Sequence, residues 1–173
     1  MSLNPDEINQ LNVVSFHTNF SRLPNTNFFC QRVNIPAVNL GLYTHVTPLS
    51  DAPTEGDKLT FEQFTINFYV NEDLSNYLEI YDWMKSIGFP DDHDQFDLKY
   101  DMLDSGGAPT IRSDMNLVLN TNKSNPNYSV TFKDAFPVSL GSIELDVSAT
   151  SLEPIVVDAT FEFVGSFSID KII

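Results

Sequence analysis

The chain has 173 residues, 42% of them hydrophobic and 12% aromatic, with a formal net charge of −15. The length suits one domain, and the composition excludes a disordered chain. The charge excludes a conventional DNA or RNA binder, whose affinity for phosphate needs an excess of lysine and arginine. The acidity is uneven. Residues 1–50 balance, residues 51–104 hold fourteen acids against Lys58, Lys85 and Lys99, and residues 105–173 hold eight acids against four bases. Such acidity serves solubility, or it makes a surface that DNA must pass without sticking.

Residues 1–20 read as a polar lead-in with one weak apolar patch from Leu11 to Phe16, an extended N-terminal arm on a single domain spanning 1–173. Residues 21–26 read as a turn. A strand is predicted from Asn27 to Asn34, stopping at Ile35 and Pro36 because proline cannot donate into a ladder. Ala37 to Lys58 contains Gly41, Pro48, Pro53 and Gly56 with little sustained alternation, and reads as a long loop. Long ordered loops are usually functional or make contacts.

Leu59 to Val70 is the clearest early strand: Phe64, Ile66, Phe68 and Val70 alternate with polar or amphipathic neighbours. The period then changes. Asn71, Glu72 and Asp73 offer N-cap oxygens and suit the positive end of a helix dipole. Leu74, Tyr77, Leu78 and Tyr81 follow at helical spacing, with Ile80, Trp83, Met84 and Ile87 as an adjacent stripe. Gly88 can serve as a left-handed C-cap and Pro90 blocks continuation, which predicts one helix of about 15 residues. Four later strands are readable: Ile111–Asn120, Asn127–Phe132, Gly141–Ala149 and Ile155–Ile169. Strands, one helix, then strands argue for a mainly β fold, an antiparallel β-sandwich or barrel with one flanking α-helix. Long aromatic-rich strands leave edges that need pairing, and a ring that pairs edges between neighbours supplies it.

Catalytic motifs do not emerge. There is no Gly-x-Ser-x-Gly elbow and no phosphate-binding Gly-Lys loop, and Gly106 with Gly107 is a turn signal alone. His17, His45 and His93 are scattered, without metal-ligand spacing. Asp91, Asp92, His93, Asp94, Asp97 and Asp101 could attract a divalent cation, but the EF-hand order is absent and the cluster reads as a solvated acidic loop. Glu72 and Asp73 are explained by the helix start, and Trp83, Tyr77 and Tyr81 by a helix core face. The single cysteine, Cys30, excludes an internal disulfide and a Cys-type zinc site; beside Phe28 and Phe29 it reads as a buried, inert thiol. No stretch approaches the ~18 consecutive apolar residues of a membrane span. The start of the chain lacks the basic and apolar regions of a secretory signal. The expectation is a protein without catalytic residues, metal or cofactor, made in a cytoplasm and used there or carried out inside a particle.

The passage from Phe61 to Met84 (FEQFTINFYVNEDLSNYLEIYDWM) resembles the centre of tail-tube-type proteins from contractile-tailed, T4-like bacteriophages, where an aromatic strand runs through an acid into a helix ending near Trp. Val33 to Val38 (VNIPAV) is similar to their early strand and its Ile-Pro turn, and Gly141 to Ile169 to their closing hairpin. The resemblance implies a virion protein, a homohexameric ring of the tail tube, either the repeated subunit or a terminator or completion ring. The implied partners are other copies and adjacent tube, sheath, neck or baseplate proteins, with transient passage of genomic DNA and no membrane. Glu62, Glu144, Asp146, Asp158 and Glu162 are then candidates for a phosphate-repelling lumen wall, and Gly41, Tyr43, His45, Pro48 and Pro53 for an inter-subunit loop. The alternatives are a baseplate or neck adaptor of the same fold, or a β-sandwich module binding carbohydrate or protein, which an exposed Tyr43 would favour.

Overall fold

The computed structural model describes residues 10–11, 15–88, 111–148 and 153–172. Nine strands are described: β1 (Phe16–Phe20), β2 (Cys30–Val33), β3 (Val38–Val46), β4 (Asp51–Phe61), β5 (Phe64–Tyr69), β6 (Ser113–Asn120), β7 (Pro126–Leu140), β8 (Val156–Glu162) and β9 (Ser168–Lys171). Two helices join them, α1 (Pro24–Phe29) and α2 (Ser75–Gly88). The main sheet has the order β1-β6-β7-β8-β5-β2, with β9 also on β7, while β3 and β4 form a separate two-stranded sheet. Every pairing is antiparallel, so the fold is the mainly β one that the sequence predicts.

Alternation decides which faces meet. Phe64, Ile66 and Phe68 on β5, Met115 and Leu117 on β6, and Val157, Ala159 and Phe161 on β8 are all buried, and their neighbours along each strand face outward or half-outward. The sheet must curl to bury them together. Phe20 on β1 lies 6.4 Å from Phe64 on β5, though these strands stand near opposite ends of the order. The bend falls in the 15-residue β7, whose first part pairs with β6 and β9 and whose last part pairs with β8. Phe64 is stacked between Phe132 at 4.5 Å and Phe161 at 5.2 Å.

Helix α2 covers one side of this core. Asn76, Ile80, Trp83 and Ser86 are its buried residues; the Trp83 indole packs toward Phe161 and donates to the Ile111 carbonyl at 2.7 Å. Leu74, Leu78 and Tyr81 instead remain partly exposed on its outer side, so the Ile80–Trp83 stripe is the core face. The helix begins at Ser75, later than the capping residues read from sequence. Asn71 to Leu74 make a turn, with the Leu74 amide donating to the Asn71 carbonyl and Leu74 in the left-handed region at φ 55. Buried Asn76 holds that turn: its amide donates to the Tyr69 carbonyl, and its oxygen accepts from the Asn71 and Tyr77 amides.

Helix α1 has no side-chain cap of its own. Glu79 of α2 supplies one. Its carboxylate accepts from the Asn25 side chain at 2.7 Å, the Thr26 hydroxyl at 3.2 Å and the Asn25 and Thr26 amides at 3.3 Å each. These amides are orphan donors of the first helical turn, and a carboxylate there also meets the positive end of the helix dipole. Glu79→Ala is expected to cost about 1–2 kcal/mol of folding stability, read as a lower urea midpoint with unchanged slope. An unchanged midpoint would show that α1 needs no such clamp.

The structure departs from the sequence reading at several points. Residues 24–29, read as turn and strand, are α1. The lead-in joins the sheet at Phe16, where β1 pairs with β6. Gly141 to Ser148 is not a strand; Leu145 and Val147 are exposed, and the place beside β8 is taken by the extension of β7 to Leu140. The strand expected over Ile155–Ile169 breaks between Glu162 and Ser168, where Gly165 adopts φ +79. The Asp91–Asp101 cluster lies outside the described residues.

Edges β1 and β2 face one another across a seam. The Asn27 side chain bonds to both the amide and the carbonyl of Phe20, as a neighbouring strand would, at 3.0 and 2.8 Å. Beside it a cavity of about 270 Å³ is lined by Phe16, His17, Thr18, Asn27, Phe28, Cys30 and Gln31. Cys30 is half-buried, and loss of hydration pushes its thiol up to about 11 against the opposing effect of its bonds with Thr18 and Arg32. The thiolate is the reactive form, so at pH 8 the folded protein is expected to be alkylated by iodoacetamide roughly tenfold or more slowly than the urea-unfolded chain. Equal rates would mean that Cys30 is not shielded.

Candidate assembly surface

Val38, Leu40 and Leu42 alternate at period two, and Val46 keeps the phase; this is the signal that makes β3 a strand. β3 and β4 form a hairpin across the region read as the Ala37–Lys58 loop, so that reading is corrected. The correction has a physical cause. Gly41, Pro48, Pro53 and Gly56 punctuate the segment, and neither face of the hairpin is buried to mark it as sheet.

Register sorts the side chains. Val38 pairs with Phe61, Leu40 with Leu59, Leu42 with Glu55, Thr44 with Pro53 and Val46 with Asp51. These share one face, while Asn39, Tyr43 and His45, opposite Thr60, Thr54 and Ala52, share the other. The first face is an apolar stripe in the open. Val38 is 48% exposed, Leu40 55%, Leu59 58%, Leu42 73% and Val46 75%, and Leu49 at the tip is 98% exposed. The two strands pack chiefly on each other. A lone two-stranded ribbon is marginal in water, and contiguous apolar exposure marks an interaction site.

Of the residues proposed for an inter-subunit loop, Tyr43 and His45 lie on the more polar face, Pro53 on the apolar face, Pro48 in the turn and Gly41 at an irregularity in the pairing. The five apolar residues Val38, Leu40, Leu42, Val46 and Leu59 are the larger feature, and composition alone had hidden them. The hairpin base is tied to the body: the Glu62 amide donates to the Ala37 carbonyl, and the Asn39 side chain reaches the Glu62 carboxylate at 3.5 Å. Phe61 packs against Phe163 and Phe167.

The proposed lumen acids separate into two groups. Asp158 and Glu162 lie on the outward face of β8 with Thr160 between them, next to Thr65 and Asn67 of β5 and Arg32 of β2. Glu62 sits between β4 and β5, and Glu144 and Asp146 are in the irregular stretch after β7, away from any strand face. Ser148 donates its hydroxyl and its amide to Asp146 at 2.6 and 2.8 Å, which holds that carboxyl below the usual carboxylate range. Much of the remaining acidity is on the hairpin and around α2, at Asp51, Glu55, Asp57, Glu72, Asp73 and Asp82. Among the described residues no group of acids, histidines and cysteines could hold a metal ion, and no helix is long and apolar enough to cross a membrane.

A family model described as phage tail tube protein matches residues 5–164. Among solved structures, the chain is similar to one in the PVC sheath-tube complex of an extracellular contractile injection system in its extended state. That match has a TM-score of 0.61 at 14% identity and covers 94% of this chain and 93% of the other. A chain in the baseplate of the anti-feeding prophage matches with a TM-score of 0.59 at 13% identity, covering 98% and 97%. One in the tube-terminating cap of the same particle matches with a TM-score of 0.57 at 13% identity, covering 99% and 100%. At these identities the likeness is one of fold. No curated protein matches the chain by sequence.

Proposed function

The chain belongs to the phage tail tube protein family, and on that premise we propose that it is a non-enzymatic virion subunit forming a homohexameric ring of a contractile tail. Made in the host cytoplasm, it stacks with further rings as the tube or closes the tube as a terminator. Its neighbours are tube, sheath and baseplate or neck proteins. The observation that carries this reading is the β3–β4 hairpin, whose apolar stripe finds no cover within the described chain. A second copy supplies the missing cover.

The outward face of β8 and β5 is the candidate lumen wall. Asp158 and Glu162 are spaced by Thr160 and flanked by Thr65 and Asn67, with Arg32 as the nearby base. A face of hydroxyls and amides with little positive charge gives phosphate no counter-charge to settle on, so DNA slides past it. Glu144 and Asp146 are not needed for this.

The experiment is electron microscopy of the purified full chain with light scattering for mass. Rings or tubes with a central hole are expected, and a monomer at every concentration would overturn the ring reading. For the lumen, particles carrying Asp158→Lys with Glu162→Lys are expected to assemble normally and eject DNA more slowly, with the delay shrinking as salt rises. Unchanged ejection would remove the lumen role.

A further inference from the structure

The hairpin is not a regular ribbon. Leu40 pairs with Leu59 and Leu42 with Glu55, so Gly41 alone on β3 stands opposite Gly56, Asp57 and Lys58 on β4. Two extra residues in one strand bend the ribbon and sharpen its twist. The backbones cross closely at this point. A Cβ on Gly56 would lie 2.4 Å from the Gly41 carbonyl oxygen and 2.6 Å from its carbon, and both are main-chain atoms that cannot swing aside. A Cβ on Gly41 would meet only the Lys58 carbonyl oxygen, at an ordinary 3.5 Å. The two glycines therefore have different duties. Gly56 is demanded by the crossing, and Gly41 is not.

The crossing divides the hairpin into two parts. Below it, the base is fixed to the body by the Glu62–Ala37 bond, the Asn39 contact and the packing of Phe61. Above it, the tip carries Leu42, Val46 and Leu49, the most exposed members of the apolar stripe. Because the inserted residues number two, the period-two alternation is unbroken across the bend. The bend thus changes where the stripe points without changing which residues compose it.

We propose that the Gly41–Gly56 crossing is a positioning device that sets the angle at which the hairpin tip meets a second copy of this chain. This rests on the ring-forming reading above and adds Gly56, Asp57 and Lys58 to it as geometry-determining residues.

Deleting Asp57 and Lys58 tests it directly. The deletion would leave Gly41 opposite Gly56 in an uninterrupted ladder, remove one acid and one base, and keep every apolar residue on its face. The deletion variant, Gly56→Ala and Gly41→Ala are compared with the unaltered chain by thermal melting at dilution and by assembly in light scattering and electron microscopy. All four are expected to melt alike, because the hairpin lies outside the core. The deletion and Gly56→Ala are expected to need roughly tenfold or more protein to assemble, or to give rings of altered dimensions, whereas Gly41→Ala assembles as the unaltered chain does. Normal assembly of the deletion variant would overturn the inference while leaving the ring reading intact. Failure of the unaltered chain to assemble would overturn both.

Discussion

Phe64→Ala is expected to remove about 3–5 kcal/mol of folding stability, a large share of the ~5–15 kcal/mol that holds a domain of this size. Phe64 is fully buried and stands where the curled sheet closes. It stacks on Phe132 at 4.5 Å with planes 10° apart, on Phe161 at 5.2 Å and 19°, and lies 6.4 Å from Phe20. One side chain thus joins β1, β7 and β8 to β5. Near-parallel rings at these centroid separations stand in the range of offset stacking, which adds about 0.5–1.5 kcal/mol to area burial. Most of the stabilisation is still burial and dispersion, so Phe64→Leu should cost less than half as much, about 1–1.5 kcal/mol. Urea unfolding followed by tryptophan fluorescence reads both, since Trp83 packs 6.0 Å from Phe161. A loss under about 1 kcal/mol for the alanine variant would mean that the two faces are not closed over this residue.

Where local pattern and tertiary environment agree, the fold is legible in the sequence. β5 and α2 stand out because Phe64, Ile66 and Phe68 alternate without interruption and then give way to Ile80 and Trp83 at helical spacing. Where long-range partners decide, it is not. Residues 24–29 become helical with a cap that comes from Glu79, more than fifty residues away, which no local window contains. Ile143, Leu145 and Val147 alternate as well as any strand, yet the stretch is irregular, because β7 runs on through a bulge to occupy the edge of β8. Asp134 marks that bulge with φ 50, its amide held by the Asp114 carboxylate at 3.0 Å.

The candidate surfaces follow the same division. Asp158 and Glu162 share a face because strand periodicity puts them there, four residues apart on β8. Glu144 and Asp146 were placed with them only by the strand that did not form. For the hairpin, the sequence marks the region as a candidate contact segment but hides its conformation. Neither face of the ribbon is buried within the described chain, so alternation of apolar residues is its one local sign.

Leu42→Lys combined with Val46→Lys is expected to abolish assembly at ordinary concentrations while leaving the monomer as stable as before. Lysine is chosen over an acid for a reason in the register. Leu42 stands opposite Glu55 and Val46 opposite Asp51, so each lysine gains an opposite charge across the ribbon, and the hairpin itself is kept or slightly strengthened. An acid at either place would face a like charge and could unravel the ribbon, confusing folding with docking. Both side chains are about three-quarters exposed in the single chain, so folding stability should change by no more than about 0.5 kcal/mol. Burying two ammonium groups against another subunit carries a desolvation cost of several kcal/mol unless partners are waiting. The concentration needed for assembly should therefore rise by roughly a hundredfold or more. Sedimentation across a concentration series, with electron microscopy of the pellets, measures this, and His45→Lys on the opposite face is the control with a smaller expected effect. Assembly of the double variant at the ordinary concentration would mean that the stripe is not buried when copies associate. Together with Phe64→Ala, it separates the aromatic contacts that fold the chain from the apolar stripe proposed to join one copy to the next.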